Sequence, residues 1–239
     1  MIAQSSALAD RALDLRWPEV EGSLLDDGFA HCPAFLSPAE CTVLRALYAD
    51  DGLFRSRVVM ERHNFGSGEY KYFSYPLPEP IAVLRESFYR ALAPIANRWN
   101  EQLGIVTRFP GAQQQFLELC TEHDQRRPTA LLLHYREGDY NRLHQDLYGE
   151  VAFPFQLTFF LSAKTEYEGG EFVLTEQRPR AQTRPIVIAP DQGDFLVIPN
   201  RYRPVAGKNG SYRTTFRHGV STVRSGERYT LGIIFHDAQ

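Results

Sequence analysis

The stretch TALLLHYREGDYNRLHQD (129–146) joins two runs of strand-forming residues through the turn sequence EGD. From here to the C-terminus the same pattern recurs, with short β-branched or aromatic runs separated by glycine-containing turns such as EGG, DQG and RSG. Closely spaced short strands are typical of antiparallel sheets and not of alternating strand–helix units. Residues 129–239 are therefore predicted to form an antiparallel barrel or sandwich of about eight strands.

Residues 1–128 have mainly the sequence features of helices. The segment SPAE (37–40) fits a capping box with proline at the first helical position. Farther on, apolar residues recur at the spacing of one helix face: Ile81, Leu84, Phe88, Ile95 and Trp99. Pro94 is expected to kink or end that helix. Because no linker follows, we expect one domain over residues 1–239, with the helices packed as support on an outer face of the barrel.

The segment ERHNFGSGEYKYFSYPLPEP (61–80) is rich in Gly, Tyr and Phe. Its glycines, beside aromatic and basic residues, suit a mobile flap over a site. A β-hairpin or a packed loop would have the same composition. Tyr70 and Tyr72 are candidate substrate contacts, because aromatic rings stack on nucleobases and also line pockets for many small molecules.

The composition is that of a globular protein, with 43% hydrophobic and 13% aromatic residues. The sequence has no run near the roughly 18 apolar residues that a membrane span needs. The first 17 residues carry charges where a signal peptide would have its apolar core. We therefore expect a cytoplasmic protein with no membrane association, and no pattern specifies an oligomeric state.

Cysteine spacing and charge exclude some function classes. The three cysteines have no CxxC spacing, which argues against a disulfide framework and a zinc knuckle: Cys32, Cys41 and Cys120. The net charge of −3 offers no general attraction to nucleic acid. Residues 171–239, however, hold 10 Lys and Arg against 6 Asp and Glu. Basic clusters at 178–184 and 201–203 could meet phosphates, or could be ordinary solvated arginines.

His144 and Asp146 are candidate metal ligands. Residues i and i+2 of a strand point to the same face, so an imidazole and a carboxylate are aimed at one spot. An ordinary hydrogen-bonded pair would look the same. Non-heme Fe(II) oxygenases bind iron through two histidines and one carboxylate. His218 is the best candidate for the third ligand because it ends a predicted strand, and Arg228 in the next strand could hold a carboxylate in a bidentate pair.

These residues resemble the iron and cosubstrate motifs of the double-stranded β-helix (jelly-roll, cupin-like) Fe(II)/2-oxoglutarate-dependent dioxygenases. The ten-residue interval from His218 to Arg228 is similar to that of the prolyl-hydroxylase-like branch. Tyr135 lies nine residues before His144, like the tyrosine that contacts the cosubstrate in AlkB-type demethylases. The C-terminal half departs from AlkB, whose conserved arginines lie farther beyond the distal histidine.

Over nearly the whole chain, a closer resemblance is to a bacterial family of 2-oxoglutarate oxygenases proposed to act on damaged nucleic acid. It is carried in order by segments that include GEYKYFSYPLP, GDYNRLHQDLYGE, GGEFVLTEQRPR and RSGERYTLGIIFHDA. The resemblance implies a mainly β fold with N-terminal helices. It also implies Fe(II) on His144, Asp146 and His218, and 2-oxoglutarate on Arg228 and Tyr135, with O2 as the other cosubstrate.

The implied reaction is hydroxylation of a C–H bond, coupled to conversion of 2-oxoglutarate to succinate and CO2. Halogenating relatives have a small residue in place of the carboxylate ligand, so the presence of Asp146 favours hydroxylation. Arg142 is expected to share the face of His144, where it could bind a substrate phosphate or carboxylate, or pair with an acid. Gln156 could hydrogen-bond within the pocket or could face solvent.

Three functions stay open at this point. The first is oxidative dealkylation of a damaged nucleobase or nucleotide, which the resemblance and the basic C-terminal segment favour. The second is hydroxylation of a free small molecule such as an amino acid or another metabolite, for which the same catalytic residues would serve. The third is an inactive barrel that acts as a ligand sensor, which the intact set of motif residues disfavours.

Overall fold

A computed structural model of the chain describes residues 2–208 and 210–239. In these residues it has five α-helices: α1 (Ile2–Leu13), α2 (Trp17–Asp26), α3 (Pro38–Ala46), α4 (Glu79–Gln102) and α5 (Gln113–Glu122). The strands of the N-terminal half are β1 (Ala30–Cys32), β2 (Phe54–Val59), β3 (Gly66–Ser67) and β4 (Glu69–Phe73). The strands that follow are β5 (Leu131–Arg136), β6 (Tyr140–His144), β7 (Phe155–Phe160), β8 (Tyr167–Gly169), β9 (Phe172–Gln177), β10 (Arg184–Ile188), β11 (Phe195–Pro199), β12 (Tyr202–Gly207), β13 (Gly210–Val220) and β14 (Val223–Ile234).

The strands form two antiparallel sheets. The larger sheet has the order β1-β11-β7-β14-β5-β4-β2, with β8 paired to β14. The smaller has the order β10-β9-β13-β6-β3, with β12 paired to β13. The described strand pairing keeps the two sheets separate, so the predicted barrel is a jelly roll of two facing sheets and not a closed cylinder.

Alternation along the larger sheet separates a helix-covered face from a face that looks into the molecule. In β7, Leu157 and Phe159 belong to the core shared with the helices, whereas Gln156 and Thr158 line an internal cavity. Side chains of β14 also alternate between the two faces, and Leu231 packs in the core on the helix side. One sheet face therefore packs the fold and the other carries side chains for a site.

The main helix-side cover is α4, which runs through Pro94 without ending there. The predicted apolar stripe is buried in the core, as expected: Ile81, Leu84, Phe88, Ile95 and Trp99. The capping box before α3 is also present, since the Glu40 amide donates to Ser37 Oγ and the Ser37 amide donates to the Glu40 carboxylate. No helix in the described part of the chain has the length and apolar character that crossing a membrane requires.

The N-terminal half is less helical than the sequence suggests. Residues 54–73 contribute β2 and β4 to the larger sheet, where β4 lies between β2 and β5. The segment 61–80 thus contains a fully paired strand, and the hairpin alternative describes this part of it better than a flap. Lys71 made this strand hard to predict, because a lysine suggests an exposed position and here its side chain is buried. The Lys71 Nζ donates hydrogen bonds to the Tyr48 carbonyl and the Asp51 carboxylate.

Candidate metal centre and active site

Two neighbouring strands of the smaller sheet bring His144 and His218 together. They are directly opposite one another in the ladder between β6 and β13, and their ring centroids are 4.2 Å apart. Asp146 lies just beyond the end of β6, with Oδ2 3.2 Å from His218 Nε2 and Oδ1 3.6 Å from His144 Nε2. The three side chains can present one ligand atom each within 4.8 Å of one another.

Hydrogen bonds orient two of these side chains toward the common point. His144 Nδ1 lies 2.7 Å from the Arg142 carbonyl oxygen. A carbonyl only accepts, so Nδ1 carries the proton of this hydrogen bond, and the neutral form of the ring has its lone pair on Nε2. The Tyr148 hydroxyl donates to Asp146 Oδ1 at 2.6 Å, which leaves Oδ2 for another partner. Outer contacts of this kind fix ligand orientation in metal sites.

The electrostatics of the cluster favour a carboxylate at Asp146 and a neutral imidazole at His218. Burial would raise the pKa of the Asp146 carboxyl, but His144, His218 and Tyr148 stabilise the carboxylate and hold its pKa below the ordinary range. Burial lowers the pKa of His218, and the nearby His144 lowers it further. A carboxylate and neutral imidazoles are the forms that coordinate a divalent metal. Two histidines and one carboxylate suit Fe(II) and leave open positions for other ligands.

Arg228, on β14, faces the same cavity and is only 1% exposed. Its guanidinium carbon lies 5.4 Å from the ring centroids of both Tyr135 and Phe160. Among the described residues, none accepts a hydrogen bond from its Nε, Nη1 or Nη2. Burial lowers the pKa of Arg228, and the nearby Tyr135 and Tyr167 offset part of that effect. A buried cation with three unused donor atoms fits an incoming carboxylate, which would complete its hydrogen bonds.

Tyr135 is fully buried and lies opposite Arg228 in the ladder between β5 and β14. Asn141 Nδ2 donates to its hydroxyl oxygen at 3.4 Å. Because that oxygen already accepts from Asn141, the hydroxyl proton remains available to an acceptor in the cavity. Burial raises the pKa of Tyr135 to about 12, so the group is a protonated donor at neutral pH.

The cavity that contains these residues measures about 330 Å³. Gln156 lies inside it, buried, with Nε2 3.2 Å from His218 Nε2. Tyr70 and Tyr72 line its wall from β4, and the Tyr72 hydroxyl donates to the Tyr148 hydroxyl at 2.9 Å. Of the two alternatives for Gln156, the structure therefore has the inward one.

Arg142 lines the mouth of the same cavity and is exposed. Its Nη1 donates to Asn64 Oδ1 at 2.6 Å, so its described partner is an amide and not an acid. Phe65 stands beside it on the rim, with 48% of its surface exposed. The mouth thus combines a cation with an exposed aromatic ring, which stacks on the His63 ring.

Sequence reasoning missed three residues that shape the site. Tyr148 was detectable, because it lies two positions beyond Asp146 and the i+2 rule applies to it as well. Phe172 lies nearly parallel to the His218 ring, at 14° and 5.9 Å, and only the pairing of β9 with β13 brings it there. Gly170 has a φ of +61°, and a Cβ there would lie 2.8 Å from Arg228 Cδ.

Comparison with known proteins places this geometry in a family. The Oxygenase-NA family model, described as "Oxygenase, catalysing oxidative methylation of damaged DNA", matches residues 68–238. An uncharacterised protein of Mycobacterium tuberculosis is 47% identical over 167 residues, which cover 70% of this chain and 72% of the relative.

Solved structures show the same fold at low sequence identity. An oxidoreductase of the 2OG-Fe(II) oxygenase family from Burkholderia pseudomallei has a TM-score of 0.56 at 18% identity, over 94% of each chain. A prolyl-4-hydroxylase from Pseudomonas putida has a TM-score of 0.52 at 14% identity, over 93% of this chain and 99% of its own.

The family model covers more than two thirds of the chain and includes every strand that carries a residue of the cluster. The cluster of two histidines and one aspartate and the unpartnered Arg228 fit the two cofactors of that enzyme class. The chain belongs to the Oxygenase-NA family and is a 2-oxoglutarate-dependent oxygenase that uses Fe(II) and 2-oxoglutarate.

Proposed function

We propose that the enzyme hydroxylates an N-alkyl carbon of a damaged nucleobase or nucleotide. One oxygen atom of O2 enters succinate and the other enters the C–H bond, so an N-methyl group becomes N-hydroxymethyl and leaves as formaldehyde. The alkyl group is thereby removed from the base. The description of the family model supports damaged DNA as the substrate class.

The observation that carries the proposal is the chemistry of the cavity that holds the metal cluster. Its walls include Tyr70, Tyr72 and Phe172, and its mouth has the exposed Phe65 beside Arg142. Aromatic faces stack on bases of any sequence, and an arginine pairs with phosphate. Together they suit a flat base held in the cavity with its phosphate at the mouth.

In this proposal His144, Asp146 and His218 hold Fe(II), and Arg228 and Tyr135 hold the 2-oxoglutarate carboxylate farthest from the metal. When bound, the iron and 2-oxoglutarate supply the activation of O2 for C–H hydroxylation, with succinate and CO2 as products. The protein orients the reactants and excludes water from the buried end of the cavity.

The remaining side chains would position the substrate. The Gln156 amide is buried beside the cluster and could bond the edge of a base. The Tyr72 ring is fixed by its hydrogen bond to Tyr148, so a base stacked on it would be held at a constant distance from the metal. Arg142 would contact phosphate, because it is the cation at the mouth.

The test is succinate release by the Fe(II)-loaded enzyme with 2-oxoglutarate and O2. The panel contains methylated single- and double-stranded DNA, methylated nucleotides, unmethylated DNA and free amino acids, and His144→Ala is the blank. We expect stimulation by the methylated DNA or nucleotides with release of formaldehyde. Stimulation by DNA should also fall steeply as salt increases, since phosphate contacts release counterions.

Stimulation only by amino acids or other free metabolites, with none by methylated bases, would refute the nucleobase proposal and make the enzyme a small-molecule hydroxylase. Equal succinate release from methylated and unmethylated DNA would refute dealkylation as the reaction.

A further inference from the structure

A second cavity of about 470 Å³ is lined by residues other than those of the metal cluster. It is bounded by the C-terminal end of α4, by α5, and by the segment 147–154 that leads into β7. It shares no lining residue with the metal cavity among the described residues. Four aromatic side chains form its inner wall: Trp99, Phe109, Phe116 and Phe153. Its size and apolar lining are typical of a small-molecule site.

Two polar atoms of buried side chains in this cavity have no partner in the described part of the chain. They are the indole Nε1 of Trp99 and the amide Oδ1 of Asn200, and each residue is 1% exposed. The identity of the oxygen follows from the network, because Asn200 Nδ2 donates to the carbonyls of Phe153 and Phe155 at 2.8 and 3.3 Å. Each unmet group costs roughly 1–3 kcal/mol when buried. A ligand that offers one acceptor and one donor would satisfy both.

The rim of this cavity is cationic. Arg108 and Arg201 are exposed there, and the Arg201 guanidinium carbon lies 4.5 Å above the Tyr202 ring. The one acid that lines the described rim, Glu150, lies 3.3 Å from His123 Nδ1, so the arginines outnumber the carboxylates. Two arginines beside an aromatic wall favour a phosphate attached to a flat ring system.

We propose that the second cavity binds a nucleotide. Its base lies against the aromatic wall, with a ring carbonyl accepting from Trp99 Nε1 and a ring N–H donating to Asn200 Oδ1. Its phosphate meets Arg108 and Arg201 at the rim. The nucleotide is either free or the neighbour of a substrate base in a strand, and both sources present the same chemistry. This site does not depend on the substrate proposed for the metal cavity.

The test uses tryptophan fluorescence, because the chain has only 2 tryptophans and one of them, Trp99, lines the cavity. Trp17 lies elsewhere, with its indole Nε1 donating to the Ala12 carbonyl at 3.0 Å, so Trp17→Phe leaves Trp99 as the reporter. Nucleoside 5′-monophosphates are titrated against the Trp99 fluorescence without metal or 2-oxoglutarate. We expect saturable quenching, and Arg201→Ala and Arg108→Ala should each weaken the affinity about tenfold or more, the loss of one charge-assisted contact. Arg90→Ala, an exposed arginine on α4 outside the cavity, is the matched control.

In the unmodified protein, the indole N–H signal of Trp99 in NMR gives the same information if Trp17→Phe does not fold. Free nucleosides should bind more weakly than the monophosphates. Tighter binding of a short oligonucleotide than of monophosphates supports the strand source, and the reverse supports the free source. No change at Trp99 with any of these probes at millimolar concentration overturns the proposal, as does binding that both rim variants leave unaltered. Because the readout needs no turnover, its failure is distinct from failure of the proposed function.

Discussion

Replacing Arg228 by methionine should weaken the binding of 2-oxoglutarate without lowering the stability of the protein. The guanidinium is 1% exposed and has no hydrogen-bond partner among the described residues. A carboxylate of 2-oxoglutarate would receive two charge-assisted hydrogen bonds from it, each worth roughly 1.5–3 kcal/mol. Arg228→Met should therefore lose about 3–6 kcal/mol of binding energy, which is roughly two to four orders of magnitude in the dissociation constant of 2-oxoglutarate.

The same substitution should not destabilise the protein when 2-oxoglutarate is absent. Methionine fills the space of the arginine stem as far as Nε and suits the neighbouring Tyr135 and Phe160 rings, while the desolvated charge is gone. Exchanging an unpaired buried ion for a packed apolar group is commonly neutral or stabilising, by about 1–4 kcal/mol. The free energy of unfolding of Arg228→Met should thus equal or exceed that of the parent.

Two measurements check this pair of expectations. Calorimetric titration of 2-oxoglutarate into Mn(II)-loaded protein gives the affinity, and urea unfolding without metal or cosubstrate gives the stability. Arg224→Met is the control, because Arg224 is an exposed arginine on the same strand. An affinity within threefold of the parent would refute the assignment of Arg228 to the cosubstrate. A large loss of stability would show that the cation is stabilised by the folded protein itself.

Three further substitutions test the surroundings of the site. Tyr148→Phe removes the hydrogen bond to Asp146 Oδ1 and should weaken Co(II) binding about 10- to 100-fold, followed by visible absorption. Burial lowers the pKa of His236 from 6.5 to about 4. As the pH drops from 6.5 toward 4, His236 therefore binds a proton in the unfolded chain before it does in the folded protein, and the free energy of unfolding falls. His236→Asn should remove about 2 kcal/mol of the difference in unfolding free energy between pH 7.5 and 5, measured with urea. Gly170→Ala should cost about 1–2 kcal/mol of stability, because its φ is +61°. It should also weaken 2-oxoglutarate binding, because the new Cβ would displace Arg228.

Each of these expectations has a clear contrary result. Unchanged Co(II) affinity in Tyr148→Phe would mean that the carboxylate is oriented without the phenol. An unchanged slope of stability against pH in His236→Asn would assign the acid sensitivity to another group. Parent-like binding of 2-oxoglutarate by Gly170→Ala would mean that the arginine can move aside without loss.

The sequence allowed the prediction of those parts of the site that depend on local spacing. The pair His144 and Asp146 follows from the i+2 rule, and Arg228 was expected because its interval after His218 resembles that of the prolyl-hydroxylase-like branch. Gln156 was ambiguous because a polar residue in an apolar run can face either way. Its direction is set by which face of β7 the helices cover, and that is a long-range property.

The strands of the N-terminal half were harder to predict for a related reason. In β4 the tyrosines face the cavity and Lys71 faces the other way, so the strand alternates without the usual apolar and polar faces. Gly66 and Gly68 before it have φ of +142° and +112°, values typical of loops. Pairing with β2 on one side and with β5, more than fifty residues away in the chain, on the other makes this segment a strand.

Strand β6 has few backbone pairs to its neighbours, so a bound metal would stabilise this strand locally. Its ladder to β13 consists of the rungs His144–His218 and Asn141–Val220 with an irregularity between them. On its other side, within the described part of the chain, it pairs with the two residues of β3 and bonds to the Phe65 carbonyl. A cation bound by both His144 and His218 would link β6 to β13 where few backbone hydrogen bonds connect the two strands. Local opening of residues 140–144 would then have to break coordination bonds. Exchange of their amide hydrogens with solvent should slow when metal binds, while exchange in the centre of the larger sheet stays the same.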